Sequence, residues 1–297
     1  ERERAKGMPQ VEQWLDREAE RLQRRVDEVA ALQKAPDERI LQVGAIRESV
    51  VGELERLRTM VGLRVGFEPI RSKVRVGAGA REDVCVGFAT SMEKVLPRAL
   101  DTELSLGTGT ELALARNEKE SFQVIVLPSE ADLKDVSIQI DDLQGPEGAL
   151  FPSASIDAVP VGYAETKAVP PYGASHVGWW PDPILDFMRS CDIQKGDAQA
   201  FWVRVRAPKD QAAGRYAGKL QLLAEGGPAF SFDLTVQVYD FTMPDASPLP
   251  LAITWWPMFY TADSHEGLYA NKSWEKHKLQ WGRFLADYYM SFDSLYA

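Results

Sequence analysis

The sequence has no long apolar run. None approaches the ~20 residues that a membrane-spanning helix needs, so no helical membrane span is expected. Cysteine is scarce. Cys85 and Cys191 are the only two, and neither sits in a CxxC or Cys/His cluster, which leaves a structural zinc site unsupported. They allow at most one disulfide, and the sequence does not say whether they meet. Basic excess is also missing. Lys+Arg is 34 against 44 Asp+Glu, a net charge of −10, which disfavours a phosphate backbone as partner. No signal peptide precedes Glu1, which reads as a processed or cut end.

Charge and proline divide the chain. The first 65 residues carry 13 basic and 13 acidic side chains, and the remaining 232 carry 21 and 31. Pro9 and Pro36 are the only prolines before residue 66; the other 16 of 18 follow. Within 1–65, Val11, Trp14 or Leu15, Leu22, Val26, Val29 and Leu32 recur at helical spacing. Ile40, Val43, Ile46, Val50, Leu54, Leu57 and Val61 repeat the pattern. The short break at Ala35-Pro36-Asp37-Glu38 predicts antiparallel helices, with Asp37 as cap of the second. Residues 1–65 are therefore expected to form a helical hairpin.

From about residue 66 the period becomes two. Phe122, Val124 and Val126 alternate with Gln123 and Ile125. Phe201, Val203 and Val205 alternate with Trp202 and Arg204. Phe230, Phe232, Leu234, Val236 and Val238 do the same after the Gly226-Gly227-Pro228 turn. Each run predicts a half-buried strand, with others near 84–90, 135–141 and 155–163. Many short strands predict a mainly β protein, with an antiparallel β-sandwich over 66–243.

Pro244, Pro248 and Pro250 mark a stiff linker. Leu251-Ala252-Ile253-Thr254 reads as a strand, Ser273 to Tyr289 as a helix, and the last residues as a second strand. Residues 244–297 thus predict a linker and one strand–helix unit of a parallel α/β fold, which cannot cover its own faces. Either this piece docks on the sandwich or more chain completes it.

Several phrases occur in order: Ala115-Arg116-Asn117-Glu118, Val161-Gly162-Tyr163, Trp180-Pro181-Asp182-Pro183, Ala200-Phe201-Trp202-Val203, Ala213-Gly214-Arg215-Tyr216 and Val238-Tyr239-Asp240-Phe241. Together they resemble the N-terminal half of glycoside hydrolase family 123 and its uncharacterised relatives, over about residues 84–297. The resemblance implies a β-sandwich followed by a (β/α)8 barrel that holds the active site. It implies a retaining, substrate-assisted β-N-acetylgalactosaminidase, in which the substrate's acetamido oxygen attacks the anomeric carbon. One carboxyl group is the general acid and an adjacent carboxylate steadies the acetamido group. In the family these form an Asp-Glu pair on a later barrel strand, beyond this chain. Asp27-Glu28 and Asp37-Glu38 lie in the hairpin and match nothing catalytic. This stretch alone is therefore expected to be inactive. No cofactor is expected, a glycan or oligosaccharide is the expected partner, and an extracellular or periplasmic site follows from the family's substrates. The alternative is a stand-alone sandwich that binds carbohydrate or protein without catalysis.

Candidate substrate-binding residues are Trp255, Trp256, Tyr260 and His265, in the loop after the first barrel-like strand, where barrel active sites are built. Trp180 and Asp182 belong to the Gly-, Pro- and aromatic-rich stretch 172–186, read as an irregular loop at a site or an interdomain seal. Arg116, Asn117 and Glu118 read as a turn with a structural salt bridge rather than a binding triad.

Overall fold

The computed structural model describes residues 2–32, 40–77, 79–98, 100, 102–167, 176–225, 227–248, 251–254 and 273–293. Helix α1 spans Arg2–Ala5, α2 Pro9–Leu32 and α3 Ile40–Val74. Val11 and Trp14 of α2 share a buried cluster with Val61 of α3, while Arg21 and Arg25 pair with Glu53. Rising numbers on α2 meet falling numbers on α3, so the two form an antiparallel hairpin. The helix does not stop at residue 65. Phe67, Ile70 and Val74 continue the helical spacing and pack on the sandwich core, which gives the last turns apolar partners. The helix even carries Pro69, which forfeits one backbone hydrogen bond.

The strands are β1 (Val84–Thr90), β2 (Gly109–Arg116), β3 (Lys119–Pro128), β4 (Leu133–Ile140), β5 (Leu143–Gln144), β6 (Leu150–Phe151), β7 (Ile156–Glu165), β8 (Trp179–Ile184), β9 (Ser190–Ile193), β10 (Gln199–Arg206), β11 (Gly214–Ala224) and β12 (Gly227–Thr242). One sheet runs β1-β3-β10-β7-β8. The other runs β2-β12-β11-β4-β9, with β5 beside β11 and β6 beside β5. Phe88, Phe201, Phe230 and Phe232 fill the space between them, with Phe67 of α3 edge-on to Phe230 at 5.8 Å. The buried Tyr216 donates its hydroxyl to the Ala212 carbonyl at 2.7 Å, a corner device of such sandwiches.

Three sequence expectations are corrected here. The sandwich is not wholly antiparallel: β2 lies parallel to β12, from Gly109 against Asp233 onward. β3 is not half-buried. Ile125 and Leu127 face a second apolar cluster with Leu63 of α3 and Val95, so its outer face is covered too. Gln123 is buried there because its amide donates to the carbonyls of Thr90 and Glu93. The stretch 172–186 is not all loop. Residues 179–184 form β8, an edge strand, where Pro181 and Pro183 are tolerated.

After the sandwich come β13 (Leu251–Thr254), α4 (Ser273–Ala286) and β14 (Met290–Asp293). β13 and β14 pair in parallel, so this is a strand–helix–strand unit. The β2–β3 turn holds it. Asn117 donates to the Met243 carbonyl at 3.0 Å and to Asp245 at 3.2 Å, and Arg116 pairs with Asp240. Lys119 pairs with Asp287 at 3.3 Å, and the Tyr289 hydroxyl donates to the Pro244 carbonyl at 2.7 Å.

Candidate functional site

A concavity lies between α3 and the sandwich. It has a volume of about 630 Å³. One wall is the exposed side of α3 from Ser49 to Thr59. The other is the 94–100 segment, and Trp180 of β8 closes one end. β8 is held there because Trp180 pairs with Ala164, and Trp179 with Glu165, at the far end of β7.

Cations and aromatic rings meet in this cleft. The Lys94 ammonium lies 5.3 Å from the centre of the Trp180 ring, and the Arg98 guanidinium 5.1 Å from that of Trp179. Such contacts each contribute roughly 0.5–1 kcal/mol at exposed sites. His176 meets Trp180 edge-on at 5.4 Å. Arg98 contacts both oxygens of Asp197 at 3.1 Å, and Arg56 reaches the same carboxylate at 3.4 Å. Burial lowers the Arg56 pKa and the neighbouring Asp197 opposes that shift. Gly196 lets the turn pass beneath Arg56: its φ is +76°, and a Cβ there would lie 2.8 Å from the guanidinium.

The acids of the cleft are already engaged. Glu53 pairs with Arg21 and Arg25, and Glu55 with Arg58. A general acid needs a raised carboxyl pKa. Among the described residues, the carboxyls with a shifted pKa move the other way. Asp142 is lowered by the Ser153 N–H, Asp192 by Lys134 and Asp245 by Lys209. For Asp83, burial pushes upward, but the paired Arg81 and the Ala131 N–H outweigh it. The cleft can hold a ligand by charge and stacking.

Of the sequence candidates, Trp180 lines the cleft. Asp182 is exposed on β8 and is not among the residues lining it. Trp255, Trp256, Tyr260 and His265 lie outside the described residues. Asp27 and Glu28 are exposed on α2, and Asp37-Glu38 lies outside the described residues. Sequence reasoning did not find Arg56, Lys94 and Arg98, because nothing local links positions so far apart in the chain. Cys85 and Cys191 are free thiols, and burial pushes them up to about 11 and about 12. Among the described residues no group of His, Cys, Asp or Glu is arranged to hold a metal ion, and no helix is long and apolar enough to cross a membrane.

Residues 102–224, from the approach to β2 through β11, match the family model described as the glycoside hydrolase 123 N-terminal domain. The sandwich resembles that domain. A family 123 glycoside hydrolase from Clostridium perfringens shares the fold, with a TM-score of 0.57 and 16% identity over 69% of this chain. The chain spans only 36% of that enzyme's length. A PapD-like domain of human CEP192 (TM-score 0.28, 11% identity, 45% of this chain and 83% of that one) and a Niemann-Pick type C2 protein from the Japanese carpenter ant (0.24, 12%, 43% and 79%) are too distant to inform the fold further. No curated protein matches the sequence. The phrases from Arg116 to Tyr216 fall inside the glycoside hydrolase 123 interval; the helical hairpin and the strand–helix–strand unit fall outside it.

Proposed function

We propose that the chain is the N-terminal portion of a glycoside hydrolase acting on glycans outside the cytoplasm. Its sandwich carries a (β/α)8 barrel of which β13, α4 and β14 are the first unit. The match of residues 102–224 to the glycoside hydrolase 123 N-terminal domain carries this reading. The parallel pairing of β13 with β14 around a helix supports it, because a two-stranded parallel sheet needs further strands to cover it.

The chemistry proposed is retaining and substrate-assisted, on a terminal β-N-acetylhexosamine such as N-acetylgalactosamine. The acetamido oxygen attacks the anomeric carbon while a carboxylic acid protonates the leaving oxygen. An Asp-Glu pair on a later barrel strand supplies the acid and the carboxylate that steadies the acetamido group. This chain supplies neither and is inactive alone. Its share is the loop that follows Thr254. There Trp255, Trp256, Tyr260 and His265 stack on and hydrogen-bond the sugar, at the strand end where barrels bind substrate. Trp180 and Asp182 belong to a separate surface. By register they lie toward the opposite sheet end from the linker, Trp180 about 26 Å and Asp182 about 20 Å from Ile156 along β7 at the usual strand rise.

The second reading is a stand-alone binding module, favoured by the cleft at Trp180. The natural polypeptide separates the two. An antibody to this chain is expected to detect a mass well above 33.2 kDa, and that polypeptide is expected to release N-acetylhexosamine from a glycan. A native mass of 33.2 kDa, or a longer protein inert on β-N-acetylhexosaminides, overturns the enzyme reading.

A further inference from the structure

We propose that the cleft between α3 and the 94–100 segment binds the anionic group, carboxylate or sulfate, of an acidic glycan. The choice of a glycan rests on the glycan-acting reading above; the choice of an anion rests on the site itself.

The whole protein carries −10, yet this cleft is cationic. Arg56, Lys94 and Arg98 line it, and Arg21, Arg25 and Arg58 stand behind its acids. Against these six cations the described ion pairs hold four carboxylates: Glu18, Glu53, Glu55 and Asp197. Asp197 is shared by two arginines. Lys94 pairs with no carboxylate among the described residues; its ammonium lies over the face of Trp180. A cation held on an indole keeps its charge and its three donors for an incoming acceptor. Leu96, Leu100 and Trp180 also line it and offer apolar surface to the C–H face of a sugar ring. A volume of about 630 Å³ falls within the range of ordinary ligand clefts.

The test uses this 297-residue chain and isothermal titration calorimetry. Three tetrasaccharides serve as probes: hyaluronan (carboxylate only), chondroitin sulfate (carboxylate and sulfate) and maltotetraose (neutral). At least one acidic probe is expected to bind and maltotetraose is not. Binding of hyaluronan assigns the carboxylate; binding of chondroitin sulfate alone assigns the sulfate. Lys94→Gln is expected to weaken binding about tenfold, as loss of one charge-assisted contact does, and Lys94→Arg to retain it. Raising the salt from low to high is expected to weaken binding further. Circular dichroism checks that each variant is folded. Absence of acidic binding at millimolar probe, equal binding of maltotetraose, or equal affinity in Lys94→Gln overturns the proposal. Acidic binding by this chain alongside a full-length protein inert on β-N-acetylhexosaminides would leave the anion site standing and remove the hydrolase reading. Hydrolysis without acidic binding would do the reverse.

Discussion

The Lys119 ammonium lies 4.4 Å from the centre of the Tyr288 ring, across the gap between the sandwich and the strand–helix–strand unit. It also reaches the Asp287 carboxylate at 3.3 Å and donates to the Asp287 carbonyl at 3.2 Å. One side chain thus grips the end of α4 through a ring, a charge and a backbone oxygen. Lys119→Ala is expected to loosen that docking by about 1 kcal/mol, which raises the undocked population about fivefold. Limited proteolysis within 244–250 should quicken by that factor while the sandwich keeps its melting temperature.

Asn117 acts on the same junction by a different route. Its φ is +61°, and its amide holds the carbonyl of Met243. Asn117→Gly keeps the backbone relaxed and removes the clamp. Asn117→Ala removes the clamp and adds about 1 kcal/mol of left-handed strain. Both variants should speed cleavage of the linker, and only the alanine should also lower the melting temperature of the sandwich.

The β-strands of this protein were readable where one face is buried and the other wet. Phe230, Phe232, Leu234, Val236 and Val238 all point inward, and their period of two is plain in the sequence. The signal misled where that condition failed. Ile125 looks like an outward residue between Val124 and Val126, yet α3 covers it. Pro181 and Pro183 announce a loop, and an edge position absorbs them. The end of α3 was misplaced because Phe67, Ile70 and Val74 find their partners in another element. The cleft was invisible for a stronger reason: Arg56 meets the face that holds Lys94 and Trp180 only through the docking of the hairpin on the outer face of the five-stranded sheet.

Arg64 fixes that docking. It is 1% exposed, lies 4.6 Å above the Trp14 ring, and donates to Ser129 at 2.7 Å and Glu130 at 3.2 Å. Arg64→Ala removes the stem and the contact with the indole. It is expected to cost about 3 kcal/mol, mostly lost packing, because Arg17 continues to hold Glu130. Arg64→Met refills the volume and should recover more than half of that. Urea midpoints of the two variants check the order.

Asp83 sets an acid limit. Arg81 grips it with two hydrogen bonds, at 2.9 and 2.6 Å, and its pKa in the fold lies below the ordinary value. Stability from a lowered carboxyl pKa is complete above the unfolded value, near 3.9, and is lost as pH falls through the folded value. Asp83→Asn should therefore be less stable than the wild type at pH 7. The gap should close below about pH 4, as unfolding curves across that range will record.

The thiols give a test that does not depend on function. With Cys85 buried and raised to about 11, and Cys191 raised to about 12, the folded protein should react very slowly with a thiol reagent at pH 8. Two thiols per chain should appear promptly in urea, without reductant. A single disulfide found in the untreated protein would contradict the structure.

The parallel seam between β2 and β12 has a consequence for the order of events during synthesis. Gly109 leaves the ribosome long before its partner Asp233, and the strands between them pair mostly with one another. The helical hairpin, with its local contacts, can gather early. The second sheet keeps a raw edge until translation has passed residue 242, and only then does β2 find its place. A nascent chain stalled before that point should offer its β11 and β2 edges to chaperones, and one released after it should not.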